Sequence, residues 1–220
     1  RNLLLTLAGL LILAFIIQRS AKNISKLQQA TLEREHIDSE LNIARKIQMD
    51  MLPKSEETAL RDDCNIVGSL DPAKMVGGDL YDHFIRDEKL FFCIGDVSGK
   101  GIPAALVMAV THTLFRSISA HESNPARIMQ ALNETACQRN EQNMFVTMFI
   151  GVLDLPTGRL RYCNAGHDKP FVVGEETKPL PAKPHLPLGV MDNMVYTIQE
   201  TLLQSTSLRT SVASSYLKPT

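Results

Sequence analysis

The 220-residue sequence predicts an α+β layered domain carried behind an apolar helix. Three observations point there. Short apolar runs bounded by turn residues occur in pairs, the mark of antiparallel strands. Two stretches beside them are helical by composition, and each has proline in its first turn (Pro103 and Pro125), where it is tolerated. Ahead of both lies a long stretch with no proline between Ser20 and Pro53. An apolar fraction of 44% supplies a core for one domain of ordinary size plus an appendage.

The chain opens on Arg1, so its start reads as that of a truncated or processed chain. LLLTLAGLLILAFII, residues 3–17, has no charge and is apolar on every face. It is a little shorter than the roughly 20 residues of a membrane span, so residues 1–19 read as an N-terminally truncated transmembrane helix. No small-x-small cleavage site follows Ile17, which argues against a signal peptide. Arg19, Lys22 and Lys26 follow at once, and positive flanks stay in the cytoplasm. The expected location is therefore the inner (cytoplasmic) membrane, one visible span, with everything downstream cytoplasmic. Residues 20–52 read as one helix with an imperfect heptad seam of Leu27, Ala30, Ile37, Leu41, Ala44 and Met51, broken by Arg34 and Gln48. A dimeric coiled-coil linker and an ordinary amphipathic helix on the domain both fit. Pro53 stops it.

Strands are expected over Asn65–Leu70, Leu80–Ile85, Leu90–Ile94, Phe145–Leu153 and Leu160–Cys163, with turns at Asp87-Glu88-Lys89 and Pro156-Thr157-Gly158. Helices are expected over Ile102–Ser119 and from Asn124 to about Arg139. Four prolines between Gly174 and Pro187 rule out a central strand or helix there. Val195–Leu203 reads as a last strand, before a Ser/Thr-rich tail without acids. The net charge of -1 carries no basic excess, so nothing points to nucleic acid. Cys64, Cys93, Cys137 and Cys163 lack metal-type spacing and read as reduced, packed thiols.

The chemistry concentrates in GDVSGKG, residues 95–101. It is no Walker loop: three residues separate Gly95 from Gly99, and Lys100 is followed by Gly101 rather than Ser or Thr. A metal is the better reading. If residues 79–86 and 90–96 pair across the turn at 87–89, Asp79 and Asp96 meet at the open end of the hairpin. Two carboxylates there suit a hard divalent cation, Mg²⁺ or Mn²⁺. The competing reading has Asp96 capping the helix near Ile102 or shaping a turn, with Asp79 exposed.

MVGGDLYD followed by GDVSGKG resembles the SpoIIE/RsbU branch of the PPM-type metal-dependent serine/threonine protein phosphatases. ELNIARKIQMDMLPK (40–54), NMFVTMFIGVLD (143–154) and LRYCNAGHDKPFVV (160–173) agree with that branch in family order. The resemblance implies a four-layer α-β-β-α sandwich over residues 53–200, with 201–220 a non-family tail. It implies a site for two divalent cations between the sheets, Asp96 bridging them, Val97 giving its backbone carbonyl and Asp79 the second carboxylate. It implies direct hydrolysis of phosphoserine or phosphothreonine on a STAS-type anti-anti-sigma phosphoprotein, by a membrane-bound homodimer joined through the linker helix. The two helices after Gly101 resemble the branch's regulatory elements.

Around that pair, Gly78, Ser98, Lys100 and His167 are candidate loop or substrate contacts. His167 and Lys100 each also have a plain reading, as loop structure and as a solvated cation. Asp82 lies at odd spacing from Asp79 and so on the opposite strand face. His112 reads as a helix-face residue with no carboxylate nearby in sequence. The sequence also departs from the family. After Pro187-Leu188-Gly189-Val190 the only acids are Asp192 and Glu200, and neither precedes glycine. The abrupt change near Leu203 has the look of a shifted reading frame or a premature end. A thin ligand set and missing last strands are therefore expected, with weak metal binding and weak or absent activity. A non-catalytic module that binds the phosphoprotein is the alternative function.

Overall fold

The structure is a computed structural model. It describes residues 2–53, 64, 66–71, 75–138, 140–173, 176–203 and 207–209, with backbone only for 2–14 and 207–209. Two compact units are present, residues 1–44 and 45–220. Helix α1, Asn2–Met51, supplies all of the first and enters the second. Within the first unit the described side chains from Phe15 onward are exposed but for Leu41, which is half-buried. The seam residues Leu27 and Ile37 are among the exposed ones. Pairs one turn apart, Gln29 with Glu33 and His36 with Glu40, decorate the helix.

In the second unit the elements are β1 (Leu80–Arg86), β2 (Lys89–Val97), α2 (Ile102–Ser119), α3 (Pro125–Cys137), β3 (Val146–Asp154), β4 (Arg159–Ala165), β5 (Phe171–Val173), β6 (Thr177–Pro179), β7 (Gln199–Leu202) and β8 (Ser207–Arg209). A five-stranded antiparallel sheet runs β1-β2-β3-β4-β7, and a three-stranded sheet runs β6-β5-β8. Alternation sorts the side chains of the large sheet onto two faces. Phe91, Cys93, Met148, Ile150, Val152 and Cys163 join Ala104, Met108 and Phe115 of α2 and Ile128, Met129 and Leu132 of α3 in the main core. On the other face Ile94, Phe149, Leu160 and Tyr162 pack with Val172 of β5 and with Leu180 and Ala182. Among the described residues this makes three layers, α-β-β, of the expected sandwich.

Several expectations coincide with observed elements. The helix Ile102–Ser119 is α2. Asn124 caps α3, its side chain accepting from the backbone N–H of Ala126 and Arg127. Pro179 ends β6, an edge strand, where a missing N–H costs nothing. Others differ. Residues 66–70 form no strand. Ile66 and Val67 are β-branched, but propensity alone makes no ladder, and Val67 is exposed. The last strand is confined to Gln199–Leu202, since Val195–Ile198 pairs with nothing in the sheet. Asn65, Gly174 and Arg139, expected at element edges, lie outside the described residues. Within the segment read as a tail, β8 pairs with β5. All four cysteines are free thiols, with Cys93 and Cys163 buried. Among the described residues one helix is long and apolar enough to cross a membrane, α2. Its buried apolar residues, Ala104, Met108 and Phe115, belong to the domain core, which accounts for that composition.

Candidate functional site at the open end of the β1–β2 hairpin

A two-residue turn sets the register of the hairpin. Asp87 and Glu88 both have positive φ, 50° and 55°, the twist that matches the flanking strands. Arg86 then pairs with Lys89, and the ladder runs without a bulge to Leu80 opposite Gly95. One step further, Asp79 stands across from Asp96. Cross-strand partners point to the same face, here the face toward the second sheet. On its other side Asp96 pairs with Thr147 of β3.

The two carboxylates interact. Asp96 is pushed up from 3.8 to about 6, first by burial, then by the charge of Asp79 and a hydrogen bond with it. Like charges held this close in a half-buried place are the donor set of a hard cation, with backbone carbonyls beside them. The backbone is shaped to match. Val97 donates its N–H to the carbonyl of Gly78 at 3.3 Å. A Cβ on Gly78 would lie 2.9 Å from both the Val97 carbonyl oxygen and its Cβ. Glycine thus lets the GGD segment press against the end of β2, with the Val97 carbonyl at the same place. These residues fit a divalent cation held by Asp79, Asp96 and the Val97 carbonyl. Among the described residues no group of three or more His, Cys, Asp or Glu side chains is arranged to hold a metal ion. Glu200 pairs with Arg161 in the β4–β7 ladder, and the Cys137 thiol is raised by burial and then by the charge of Asp192.

The loop after Asp96 answers the capping alternative. Gly101 is the N-cap of α2 and no side chain caps it. Gly99 and Gly101 have φ of 89° and 75°, which favours glycine at both. Ser98 exchanges hydrogen bonds with Phe145: its N–H donates to the Phe145 carbonyl and its Oγ accepts from the Phe145 N–H, each at 2.8 Å. Its polar atoms therefore tie the loop to β3. Lys100 is exposed.

His167 is buried and lies two contacts from Asp96. Its Nδ1 is 3.2 Å from Thr147 Oγ1, and that hydroxyl donates to the Asp96 carbonyl at 3.4 Å. Asn164, fully buried, locks the turn: its Oδ1 accepts from the His167 N–H and its Nδ2 donates to the His167 carbonyl, both at 2.8 Å. Thr147 carries no sequence signal that would have singled it out.

Asp82 is on the opposite face, as its parity requires, and is not idle there. Arg116 of α2 donates to it through Nε at 2.5 Å and Nη2 at 2.6 Å. His112 Nε2 lies 3.3 Å from the same carboxylate, a partner that is not nearby in sequence. The two are 30 positions apart, and only the packing of α2 on β1 joins them. Burial holds His112 below its ordinary value, with Asp82 pulling it up and Arg116 pushing it down. The Cys93 thiol beneath is driven well up, by burial and then by Asp82.

A family model described as Stage II sporulation protein E (SpoIIE) matches residues 86–208. Asp96, Val97, Ser98, Lys100 and His167 fall inside that span, and Gly78 and Asp79 precede it. Phosphoserine phosphatase RsbU of Bacillus subtilis (strain 168) is 33% identical over 147 residues, covering 65% of this chain and 42% of that protein. Protein IcfG of Synechocystis is 33% identical over 188 residues, covering 72% and 29%. The chain spans less than half the length of either relative. Among solved structures, the SiaA-PP2C domain of Pseudomonas aeruginosa matches with a TM-score of 0.67 and 21% identity, over 78% of this chain and 69% of that one. The RsbU and RsbW domains of Rv1364c from Mycobacterium tuberculosis match with a TM-score of 0.55 and 28% identity, over 64% and 40%. The domain has the PP2C-type α+β fold.

Proposed function

The chain belongs to the SpoIIE family, and from that premise we propose that residues 53–200 are a metal-dependent protein phosphatase acting on phosphoserine or phosphothreonine. The observation that carries this reading is the pairing of Asp79 with Asp96 at the open end of the hairpin, where burial and mutual repulsion hold Asp96 at about 6. The likeness to a phosphoserine phosphatase supports the same chemistry.

In this reading Asp96, Asp79 and the Val97 carbonyl would hold two divalent cations, Mn²⁺ or Mg²⁺. When bound, the cations supply a water nucleophile at neutral pH and neutralise charge on the phosphoryl oxygens. The chain's own part is placement. The hairpin register sets the carboxylate spacing, Gly78 sets the approach of the two segments, and Thr147 with His167 holds the Asp96 backbone from β3. Lys100, exposed beside the site, attracts the phosphoryl group.

The substrate we propose is a phosphorylated STAS-type regulatory protein. The uncharged run at 3–17 with Arg19, Lys22 and Lys26 behind it supports membrane anchorage with the domain on the cytoplasmic side. The exposed seam residues Leu27 and Ile37 support a homodimer through α1.

One observation favours a second reading, a phosphatase-fold module that binds the phosphoprotein without turning it over. Among the described residues only two carboxylates meet at the site. Phosphate release from a phosphoserine STAS protein, measured with Mn²⁺ and with Asp96→Ala as control, decides between them. Mn²⁺-dependent release lost in Asp96→Ala is the expected result. Saturable binding without release would establish the module, and neither binding nor release would overturn both.

A further inference from the structure

We propose that Gln48 is a positioning residue for the Asp79–Asp96 pair, acting through the backbone of Gly77; this rests on the metal-site reading above. Gln48 is the buried polar residue in the last turn of α1, 5% exposed. Its side-chain amide is used in both directions. Nε2 donates to the Gly77 carbonyl at 2.7 Å, and Oε1 accepts from the Gly77 N–H at 3.2 Å. A primary amide meeting one residue's C=O and N–H fixes both the position and the orientation of that residue.

The location of this clamp gives it meaning. Gly77 is two residues before Asp79, and Gly77-Gly78 has no side chains with which to hold itself in place. Two neighbouring glycines lose more conformational freedom on ordering than any other pair. Something outside the segment must fix it, and two elements do. On one side the Gly78 carbonyl accepts from Val97, at the end of β2. On the other is Gln48. The last turn of α1 is in turn anchored, with Leu52 buried and Met49 packed against the main core. Asp79 is thus delivered to Asp96 by a segment gripped between the end of a strand and the end of a helix.

The sequence pattern agrees. Gln48 interrupts the apolar seam of residues 20–52, where a coiled coil would place a hydrophobic residue. A side chain that weakens the seam and is buried with both amide groups satisfied is used for the contact it makes, the loop before Asp79.

The test uses the full chain with Gln48→Leu, close in size and without either hydrogen bond, and Gln48→Glu, which keeps the acceptor. Amide hydrogen exchange is read without metal, and Mn²⁺ affinity by calorimetry. In Gln48→Leu the amides of residues 75–80 are expected to exchange at least about tenfold faster while those of β2 and β3 keep their protection. Mn²⁺ affinity is expected to fall about 10- to 100-fold, as for loss of other groups that orient metal ligands. Gln48→Glu should lie between Gln48→Leu and the parent chain in both. Unchanged exchange at 75–80 would overturn the proposal. So would faster exchange there with Mn²⁺ affinity within about twofold of the parent chain, or a uniform loosening of the whole domain. If the parent chain binds no Mn²⁺, the metal-site reading fails instead, and the local exchange still decides whether Gln48 holds the segment.

Discussion

Asp82 and Arg116 form a bidentate pair between β1 and α2, at 2.5 and 2.6 Å, with the Asp82 side chain wholly buried and that of Arg116 39% exposed. That asymmetry determines which partner is costlier to remove. Arg116→Ala strands a buried carboxylate and is expected to cost about 3–5 kcal/mol. Asp82→Ala leaves a guanidinium that can turn to water and still donate to the His83 carbonyl, and should cost about 1–3 kcal/mol. Urea denaturation of the two variants at neutral pH measures both. Equal losses would show that the pair's burial, not the stranded charge, sets the cost.

Asp96 makes the metal-free protein pH-sensitive with a definite sign. Its folded value of about 6 lies above the ordinary 3.8. Its contribution to stability is therefore present below about 3.8 and lost as pH rises to about 6. Without metal, Asp96→Asn should melt higher than the parent chain at pH 7, and the two should converge near pH 4. With saturating Mn²⁺ the order at pH 7 should reverse, because only the parent chain gains from the ion. Melting curves across pH 4–8, with Mn²⁺ and with chelator, check both halves.

Gly78→Ala tests the close approach of the GGD segment to β2. The added Cβ meets backbone, the Val97 carbonyl oxygen, and cannot be accommodated by a rotamer change. A loss of about 1–3 kcal/mol is expected, with weaker Mn²⁺ binding because Asp79 moves with its neighbour. Calorimetry alongside denaturation separates the two effects. Unaltered Mn²⁺ affinity would detach Gly78 from the site.

Asn164 supports the His167 turn through two hydrogen bonds to a single residue's backbone. Asn164→Ala leaves those buried groups without this partner and should cost about 1–3 kcal/mol. Exchange at the His167 amide should quicken most. Protection unchanged there would assign the turn's rigidity to His185, which also contacts the Asn164 carbonyl.

Much of the domain was readable one residue at a time. The helix Ile102–Ser119 and the Asn124 cap each depend on neighbours a few positions away, and each appears as expected, while the hairpin turn lies where expected but is one residue shorter, with Lys89 already in β2. That Asp79 and Asp96 meet at the open end of the hairpin also belongs here, but their direct facing does not: a turn of 87–89 would count Asp79 opposite Val97, and the observed pairing of Arg86 with Lys89 moves the register by one. Residues 66–70 show the limit. Ile66 and Val67 are residues a strand favours, but a strand exists only where another offers hydrogen bonds.

By itself, the sequence determined the local elements, the parity that puts Asp82 and Asp79 on opposite faces, and the family motifs. Tertiary structure alone decided what those faces meet. Arg116 and His112 reach Asp82 because α2 lies across β1. Thr147 links Asp96 to His167 because β3 pairs beside β2. Gln48 grips Gly77 because the end of α1 docks next to the GGD segment. These contacts join residues 20 to 51 positions apart. No periodicity or spacing encodes them, since they follow from which apolar surfaces bury one another, and that is settled only when the whole chain packs.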